Sequence, residues 1–290
     1  MADPQGPGSP FHLLFDDEPT VAGVSNSLPP SFRQIYAGDW QIPATNGRPY
    51  IFTNFAQSRD GRISFAEPGI ATGGDVTSFN AHDRWLMGML RARADAILMG
   101  DVTVTMEPEY VFCAESISPN DAAAFTALRE AEGRPLLPLI VILSLTGRIN
   151  WSEPCFQDAR SHVLLATTTD GATNVGDCQG AATVEVMALG EESVDLQRLV
   201  KLLHDAYHVR TLLCEGGSRV MAGLLDEGLI DEEFVTLCPT FIGRTPTRYR
   251  PSYTEGVAWG PDDAPYSKPV SLRRAGDLLY MRTRVQYQNR

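Results

Sequence analysis

Short apolar runs that alternate with amphipathic segments are the feature of this sequence that most restricts its fold. Four such runs are DAILMG (residues 95–100), PLIVILS (138–144), HVLLATT (162–168) and RTLLCEGG (210–217). Their length and composition are typical of buried strands. Between them, segments such as residues 82–94 and 193–209 carry apolar residues at helical spacing. This alternation predicts an α/β fold with a mostly parallel central sheet and helices on both faces.

Both ends of the chain depart from this alternation. Residues 1–48 are rich in Pro, Gly, Ser and Asp, which predicts an irregular N-terminal arm before a single domain over residues 49–290. Packing of this arm on the domain and packing on a partner subunit are both open. The strand-like segments at residues 231–243 and 278–287 have no clear helix between them, so an antiparallel C-terminal strand is expected. Residues 244–269 are predicted to form a long surface loop.

The bulk composition argues against several classes of partner. A net charge of −12 without a basic stripe argues against nucleic-acid binding. No apolar run reaches the roughly eighteen residues of a membrane span, and no secretory signal is evident, so a cytoplasmic location is expected. The five cysteines are irregularly spaced and include no Cys-x-x-Cys pair, so neither a disulfide framework nor a metal site is expected.

The segment CEGGSRV, residues 214–220, has the form of a ligand-binding turn. Ligands bind at the carboxyl ends of strands in open α/β sheets, and the free N–H groups of a helix N-terminus suit a phosphate. A tight turn with Ser218 as a simple N-cap explains the same residues equally well. Glu215 is harder to explain in this way, because a carboxylate at the end of an apolar strand is costly unless it is paired.

Two further strand ends show a similar pattern. NFAQSRDGRIS, residues 54–64, places Ser58 and Asp60 after a strand, although Asp60 also fits an ordinary Asp-Gly turn. LRARADAILMGDVTV, residues 90–104, places Arg91 at a helix end and Thr103 after a strand. The three patterns together predict one shared sheet edge that binds ligands.

These segments together resemble the reductase domain of bacterial riboflavin biosynthesis, which has a dihydrofolate-reductase-like fold. The motifs that match are AQSRDGR, LRARADAILMGDVTV, CEGGS, GLIDE and PTFIG, which occur in the family's order over residues 50–243. The zinc deaminase signature that often accompanies this domain is absent from the sequence. The chain therefore looks like a standalone reductase.

The resemblance implies NADPH as the cofactor and a phosphorylated small molecule as the substrate. It assigns cofactor binding to Ala56, Ser58, Gly100, Thr103, Glu107, Ser144, Gly216, Gly217, Ser218, Arg219 and Val220. It assigns substrate binding to Asn54, Arg91 and Glu215, with the substrate's 5′-phosphate on Arg91. The side-chain candidates for proton donation are Asp60 and Glu215.

The implied activity is NADPH-dependent reduction of 5-amino-6-(5-phosphoribosylamino)uracil to its ribityl form by a homodimer. Four departures lie near the expected substrate side. Asn54 replaces a common lysine, and Met106-Glu107-Pro108 replaces Asp-Asp-Pro, so that Glu107 keeps a carboxylate. EYVFCAES lacks an expected basic residue, and EPGIATGGD is an insertion. These departures leave open a related reductase of another pterin- or pyrimidine-like compound. They also leave open a non-catalytic nucleotide-binding dimer.

Overall fold

The fold is built on one large sheet. The computed structural model describes residues 3–18, 27–107 and 111–288, and within them ten strands form this sheet. In chain order the strands are β1 (His12–Asp16), β2 (Tyr50–Gln57), β3 (Ala96–Gly100), β4 (Leu139–Ser144), β5 (His162–Thr167), β6 (Thr183–Ala188), β7 (Thr211–Cys214), β8 (Glu232–Leu237), β9 (Tyr266–Ala275) and β10 (Leu278–Gln286).

The strand order across the sheet is β1-β9-β10-β8-β2-β7-β3-β4-β5-β6. The seven strands from β8 to β6 run parallel to one another, while β10, β9 and β1 continue the sheet in antiparallel fashion. The predicted α/β class, with a mostly parallel sheet and an antiparallel C-terminal end, is confirmed.

Helices cover both faces of the sheet. They are α1 (Pro30–Tyr36), α2 (Gly73–Thr77), α3 (Ala81–Ala92), α4 (Asp101–Met106), α5 (Ala114–Ile117), α6 (Ala122–Ala131), α7 (Pro154–Gln157), α8 (Thr169–Asn174), α9 (Leu196–Asp205) and α10 (Ser218–Asp226). The apolar stripe of α3, with Trp85 and Met89 one turn apart, packs with α1 and α6 in one core. Leu199 of α9 and Met221 of α10 belong to the core on the opposite face. None of the helices in the described ranges is long and apolar enough to cross a membrane.

The N-terminal arm differs from the irregular segment that the sequence predicts. Its described part contains β1 and α1, and Phe11, Phe32 and Trp40 are buried in the core of the domain. Periodicity does not reveal these elements, because β1 is a short edge strand and α1 has only seven residues. The arm is therefore an integral layer of the fold.

Candidate active site

The three predicted segments meet at one edge of the sheet. The strands β8, β2, β7, β3 and β4 are consecutive neighbours and run parallel, so their carboxyl ends share this edge. Ser58 follows β2, Glu215 follows β7, and Asp101 follows β3. The structure thus brings together the segments that the sequence analysis selected.

A buried ion pair joins two of these segments. Arg91, near the end of α3, donates from Nε to both carboxylate oxygens of Glu215 at 3.0 and 3.1 Å and from Nη2 to Oε2 at 2.8 Å. The two side chains are only 0% and 5% exposed. Burial lowers the pKa of the Arg91 guanidinium, but the Glu215 carboxylate more than offsets this and raises it. Glu215 is therefore a paired carboxylate, which explains how an apolar strand tolerates it.

A second carboxyl group, that of Glu107, lies beside this ion pair. It follows α4 and accepts a hydrogen bond from the N–H of Gly73, at the start of α2. Burial raises the pKa of Glu107 to about 7, although the Arg91 charge acts in the opposite direction. The charges of Glu215 and Asp75 also raise it. This side of the edge therefore has more acids than bases.

The predicted substrate residue Asn54 faces the same side. Side chains alternate along β2, and Phe52 packs in the core that includes α3. Asn54 and Ala56 share that face, and a Cβ placed on Gly73 of α2 would lie 3.9 Å from the Ala56 Cβ. The roles assigned to Asn54, Arg91 and Glu215 in substrate binding stay predictions.

The two glycines before α10 differ in whether the structure requires a glycine at their position. A Cβ on Gly216 would lie 2.6 Å from the Met99 Cα, so this glycine allows the turn to pack against β3. Gly217 has a φ of −49° and would meet only the Thr103 hydroxyl at 3.7 Å, so neither its backbone nor its packing requires a glycine. The space beside Gly217 is therefore open for a ligand.

The N-cap of α10 is Gly217, not Ser218 as the simple-turn interpretation has it. Ser218 is the first helical residue and is buried, and no side chain caps the helix. The Gly217 N–H donates to Thr103 Oγ1 at 3.1 Å, which joins the turn to α4. The nine-residue helix α10 thus presents an N-terminus without a side-chain cap at the shared edge.

The neighbouring strand ends are cross-linked by polar contacts. Ser144 Oγ donates to Asp101 Oδ2 at 2.5 Å and accepts from the Gly147 N–H at 3.1 Å. Val220 packs on the other side, with its Cγ2 3.6 Å from the Cβ position of Gly100. Asp101 is not among the predicted site residues, although its position directly after a buried strand is the same signal that selects Ser58 and Glu215.

Asp60 serves as an anchor for the loop that follows β8. Its carboxylate accepts from Ser58 Oγ at 2.8 Å and from the N–H groups of Ile242 and Gly243 at 2.9 and 2.8 Å. Although partial burial acts to raise the pKa of Asp60, these hydrogen bonds lower it. An acid with a lowered pKa is ionised at neutral pH and is a poor proton donor.

A large cavity of about 1010 Å³ lies at the opposite edge of the sheet, at the amino ends of the parallel strands. Four of its arginines are paired within the chain: Arg48 with Asp231, Arg93 with Glu132, Arg134 with Asp95 and Arg160 with Asp158. We assign no ligand to it. Across residues 3–18, 27–107 and 111–288, no group of three or more His, Cys, Asp or Glu side chains is arranged to hold a metal ion.

Comparison with known proteins identifies the family. The sequence matches the RibD C-terminal domain over residues 49–256. It is 28% identical to the 2,5-diamino-6-ribosylamino-4(3H)-pyrimidinone 5′-phosphate reductase of Archaeoglobus fulgidus, over 68% of this chain and 83% of the relative. The Candida glabrata reductase of the same name is 26% identical, over 91% of this chain and 98% of the relative.

Solved structures agree with this fold. A pyrimidine reductase-like protein of Corynebacterium diphtheriae superposes with a TM-score of 0.64 at 20% identity, over 82% of this chain and 92% of that one. A riboflavin biosynthesis reductase of Saccharomyces cerevisiae gives a TM-score of 0.52 at 15% identity, over 84% and 93%. Since the family match spans well over half of the sequence, the chain belongs to the RibD C-terminal domain family.

Proposed function

We propose that the protein is an NADPH-dependent reductase in riboflavin biosynthesis that converts the ribose of a ribosylaminopyrimidine 5′-phosphate to the ribityl form. The observation that carries this proposal is the site at the shared edge. There the uncapped N-terminus of α10 lies next to the buried Arg91–Glu215 pair, and Glu107 lies beside that pair. Family membership and the names of the relatives support the same reaction.

The residues at this edge fit a dinucleotide cofactor. The open space beside Gly217 and the uncapped α10 suit a pyrophosphate, because the N–H groups of a helix N-terminus bind anions. Thr103 and Ser144 are fixed by hydrogen bonds at the adjacent strand ends. NADPH, when bound, supplies the hydride, and the chain's contribution is to position it against the acceptor carbon.

Glu107 is the proposed proton donor to the oxygen that gains negative charge during reduction. A pKa near 7 keeps a large share of this carboxyl protonated at neutral pH, which general acid catalysis requires. The lowered pKa of Asp60 does not suit that role, and Glu215 is committed to its ion pair. Glu215 and Arg91 are proposed to orient the substrate beside Glu107.

The form of the pyrimidine is proposed from the charges around the site. The sequence analysis favours the uracil form, whereas the archaeal and fungal relatives are named for the 2,5-diamino form. Glu215 and Glu107 act on Arg91, and Asp75 acts on Glu107. An acidic surrounding suits ring amino groups, which are donors, better than a uracil carbonyl, and together with the relatives' names this leads us to favour the diamino substrate.

The experiment is to follow NADPH oxidation with both ribosylaminopyrimidine phosphates as substrates. We expect turnover with at least one of them and a higher kcat/KM for the 2,5-diamino form. Binding of NADPH without oxidation in either case would instead favour the non-catalytic dimer. Turnover only with another pterin- or pyrimidine-like compound would identify a related reductase. The homodimer itself stays a prediction, which sedimentation analysis tests.

A further inference from the structure

Three arginines flank the N-terminus of α10. Arg219 is the second residue of α10, Arg244 follows the loop anchored by Asp60, and Arg62 follows the turn after β2. They come from three separate parts of the sequence and meet at one side of the proposed site. On a chain with a net charge of −12, such a local grouping of bases indicates a site for an anion.

Hydrogen bonds of the loop before β9 hold this group together. The Glu255 N–H donates to the Ser218 carbonyl at 3.3 Å, which places Glu255 on the first turn of α10. Its Oε1 accepts from the Ser252 N–H at 2.8 Å and lies 3.9 Å from Arg244 Nη1. Ser252 Oγ in turn accepts from Arg62 Nη1 at 2.5 Å. The positions of Arg62 and Arg244 relative to α10 thus follow from specific contacts.

The group has more positive than negative charge. Arg62 and Arg244 act on the carboxyl of Glu255, and Arg219 and Arg244 act on the exposed hydroxyl of Tyr249. Against three guanidinium groups stands Glu255, together with Asp60, whose oxygens are already bonded to Ser58 and to the backbone before Arg244. Arg219 and Arg244 are exposed and accessible to a ligand.

Within the described ranges, the side of the site that holds Glu107 has no such group of arginines, although Arg148 lies near Asp101 and Thr105 after β4. Residues 63–83 and 94–128 contain neither lysine nor arginine. Arg91, the base nearest to Glu107, is fully buried and gives three hydrogen bonds to Glu215. A doubly charged phosphate there would have to compete with Glu215 for Arg91 and would lie close to Glu107 and Asp75.

We propose that Arg219 and Arg244, positioned by Glu255 and Arg62, bind the terminal phosphate monoester of a ligand. The inference rests on the proposed reductase function, which offers two sources of this group: the 2′-phosphate of NADPH and the 5′-phosphate of the substrate. Guanidinium groups bind phosphate oxygens in bidentate fashion, and a monoester dianion matches two of them. The cofactor source fits better, because the arginines flank the helix end proposed to bind the pyrophosphate.

The test measures binding by calorimetry at fixed ionic strength, with 2′,5′-ADP and 5′-ADP as cofactor fragments and ribose 5-phosphate as the substrate fragment. The variants are Arg219→Ala, Arg244→Ala and the double variant. Arg198→Ala on the exposed face of α9 is the control, because it removes one positive charge elsewhere. NADPH and NADH are then compared on the same proteins, and circular dichroism checks their folding.

For a cofactor site, 2′,5′-ADP binds the native protein at least about tenfold more tightly than 5′-ADP, and the double variant abolishes this difference. For a substrate site, ribose 5-phosphate loses binding in the double variant while the two ADP compounds are unaffected. The proposal is overturned if the double variant keeps the native preference for 2′,5′-ADP over 5′-ADP and the native affinity for ribose 5-phosphate. It is also overturned if Arg198→Ala loses as much affinity for these compounds as the double variant does. Tight but equal binding of NADPH and NADH, with no effect on ribose 5-phosphate, overturns it while leaving the reductase function intact.

Discussion

Glu107 and Glu215 lie beside the same arginine, but different contacts surround their carboxyl groups. Arg91 gives its hydrogen bonds to Glu215. Glu107 has the N–H of Gly73 and the more distant charge of Arg91, so burial dominates and raises its pKa to about 7. Because Arg91 pairs with Glu215 and not with Glu107, the Glu107 carboxyl keeps a proton that it can donate near neutral pH.

The titration of Glu107 predicts a pH dependence of both stability and activity. Between the ordinary pKa of 4.5 and about 7, the folded protein holds a proton that the unfolded chain releases. The free energy of unfolding therefore falls as pH rises through this window, by up to about 1.4 kcal/mol per pH unit, and levels off above it. In activity assays, kcat falls as pH rises through about 7, because the donor loses its proton.

The variant Glu107→Gln tests both effects. It should lose this pH dependence in urea unfolding, and its kcat should fall roughly a hundredfold or more. Glu192→Gln, at an exposed loop position, serves as the control and should behave like the native protein. An unchanged pH profile of kcat in Glu107→Gln would exclude Glu107 as the donor.

The sequence predicts which residues gather at the edge, but it does not predict their pairing. Strand ends and motifs assign Arg91 and Glu215 to the substrate and Glu107 to the cofactor at one shared edge. Arg91 pairs with Glu215 because the end of α3 lies beside the end of β7. A local sequence pattern does not encode this tertiary arrangement. The anchoring role of Asp60 likewise depends on backbone N–H groups more than 180 residues away.

At the scale of elements, the C-terminal end of α3 depends on a buried arginine from α6. Arg129 Nη1 donates to the carbonyls of Arg91, Ala92 and Ala94 at 3.0, 3.2 and 2.8 Å. Its Nε donates to the Pro135 carbonyl at 2.8 Å. These carbonyls have few other donors at a helix end, so one side chain caps the helix that carries Arg91.

We expect Arg129→Ala to destabilise the protein by about 3 kcal/mol, because it leaves buried carbonyl groups without a donor. Urea unfolding measures this loss. Arg160→Ala removes an arginine that is 61% exposed and paired with Asp158, and it should cost less than about 1 kcal/mol. Similar small losses in both variants would contradict the capping role.

Short and edge elements are those that the sequence analysis missed. The helices α2 and α4 have five and six residues, too few to show a helical period. The edge strands β1 and β6 are largely exposed, and β9 carries Pro269 at a bulge against β10. For α9, Asp195 caps the helix by accepting from the Arg198 N–H.

At the scale of the whole molecule, the N-terminal arm and the last strands meet around one buried carboxylate. Glu232 of β8 is fully buried and accepts from Trp40 Nε1 at 3.0 Å and from the Tyr50 hydroxyl at 2.9 Å. Arg282 of β10 also donates to it, and Glu18 of the arm pairs with Arg282. Residues from both ends of the sequence are thus needed to satisfy one charge.

Loss of the arm is therefore expected to destabilise the domain. Trp40→Phe removes one donor to a buried carboxylate and should cost about 2 kcal/mol in urea unfolding. Trp259→Phe, which loses an exposed bond to Asp226, should cost less than about 1 kcal/mol. Deletion of residues 1–48 uncovers Phe52 and Phe234 and should abolish cooperative unfolding. A cooperatively folded deletion variant would show that residues 49–290 are autonomous.

The order of the strands also has a consequence for synthesis on the ribosome. The arm is translated before its partners, yet β1 pairs with β9, and Asp16 and Glu18 bind Arg273 and Arg282 more than 250 residues later. Translation must reach β9 and β10 before the arm can complete these contacts. Until then Phe11 lacks its contact with Tyr280, and Trp40 lacks its contact with Phe234 until β8 is made. The nascent chain therefore carries incompletely packed aromatic residues during elongation.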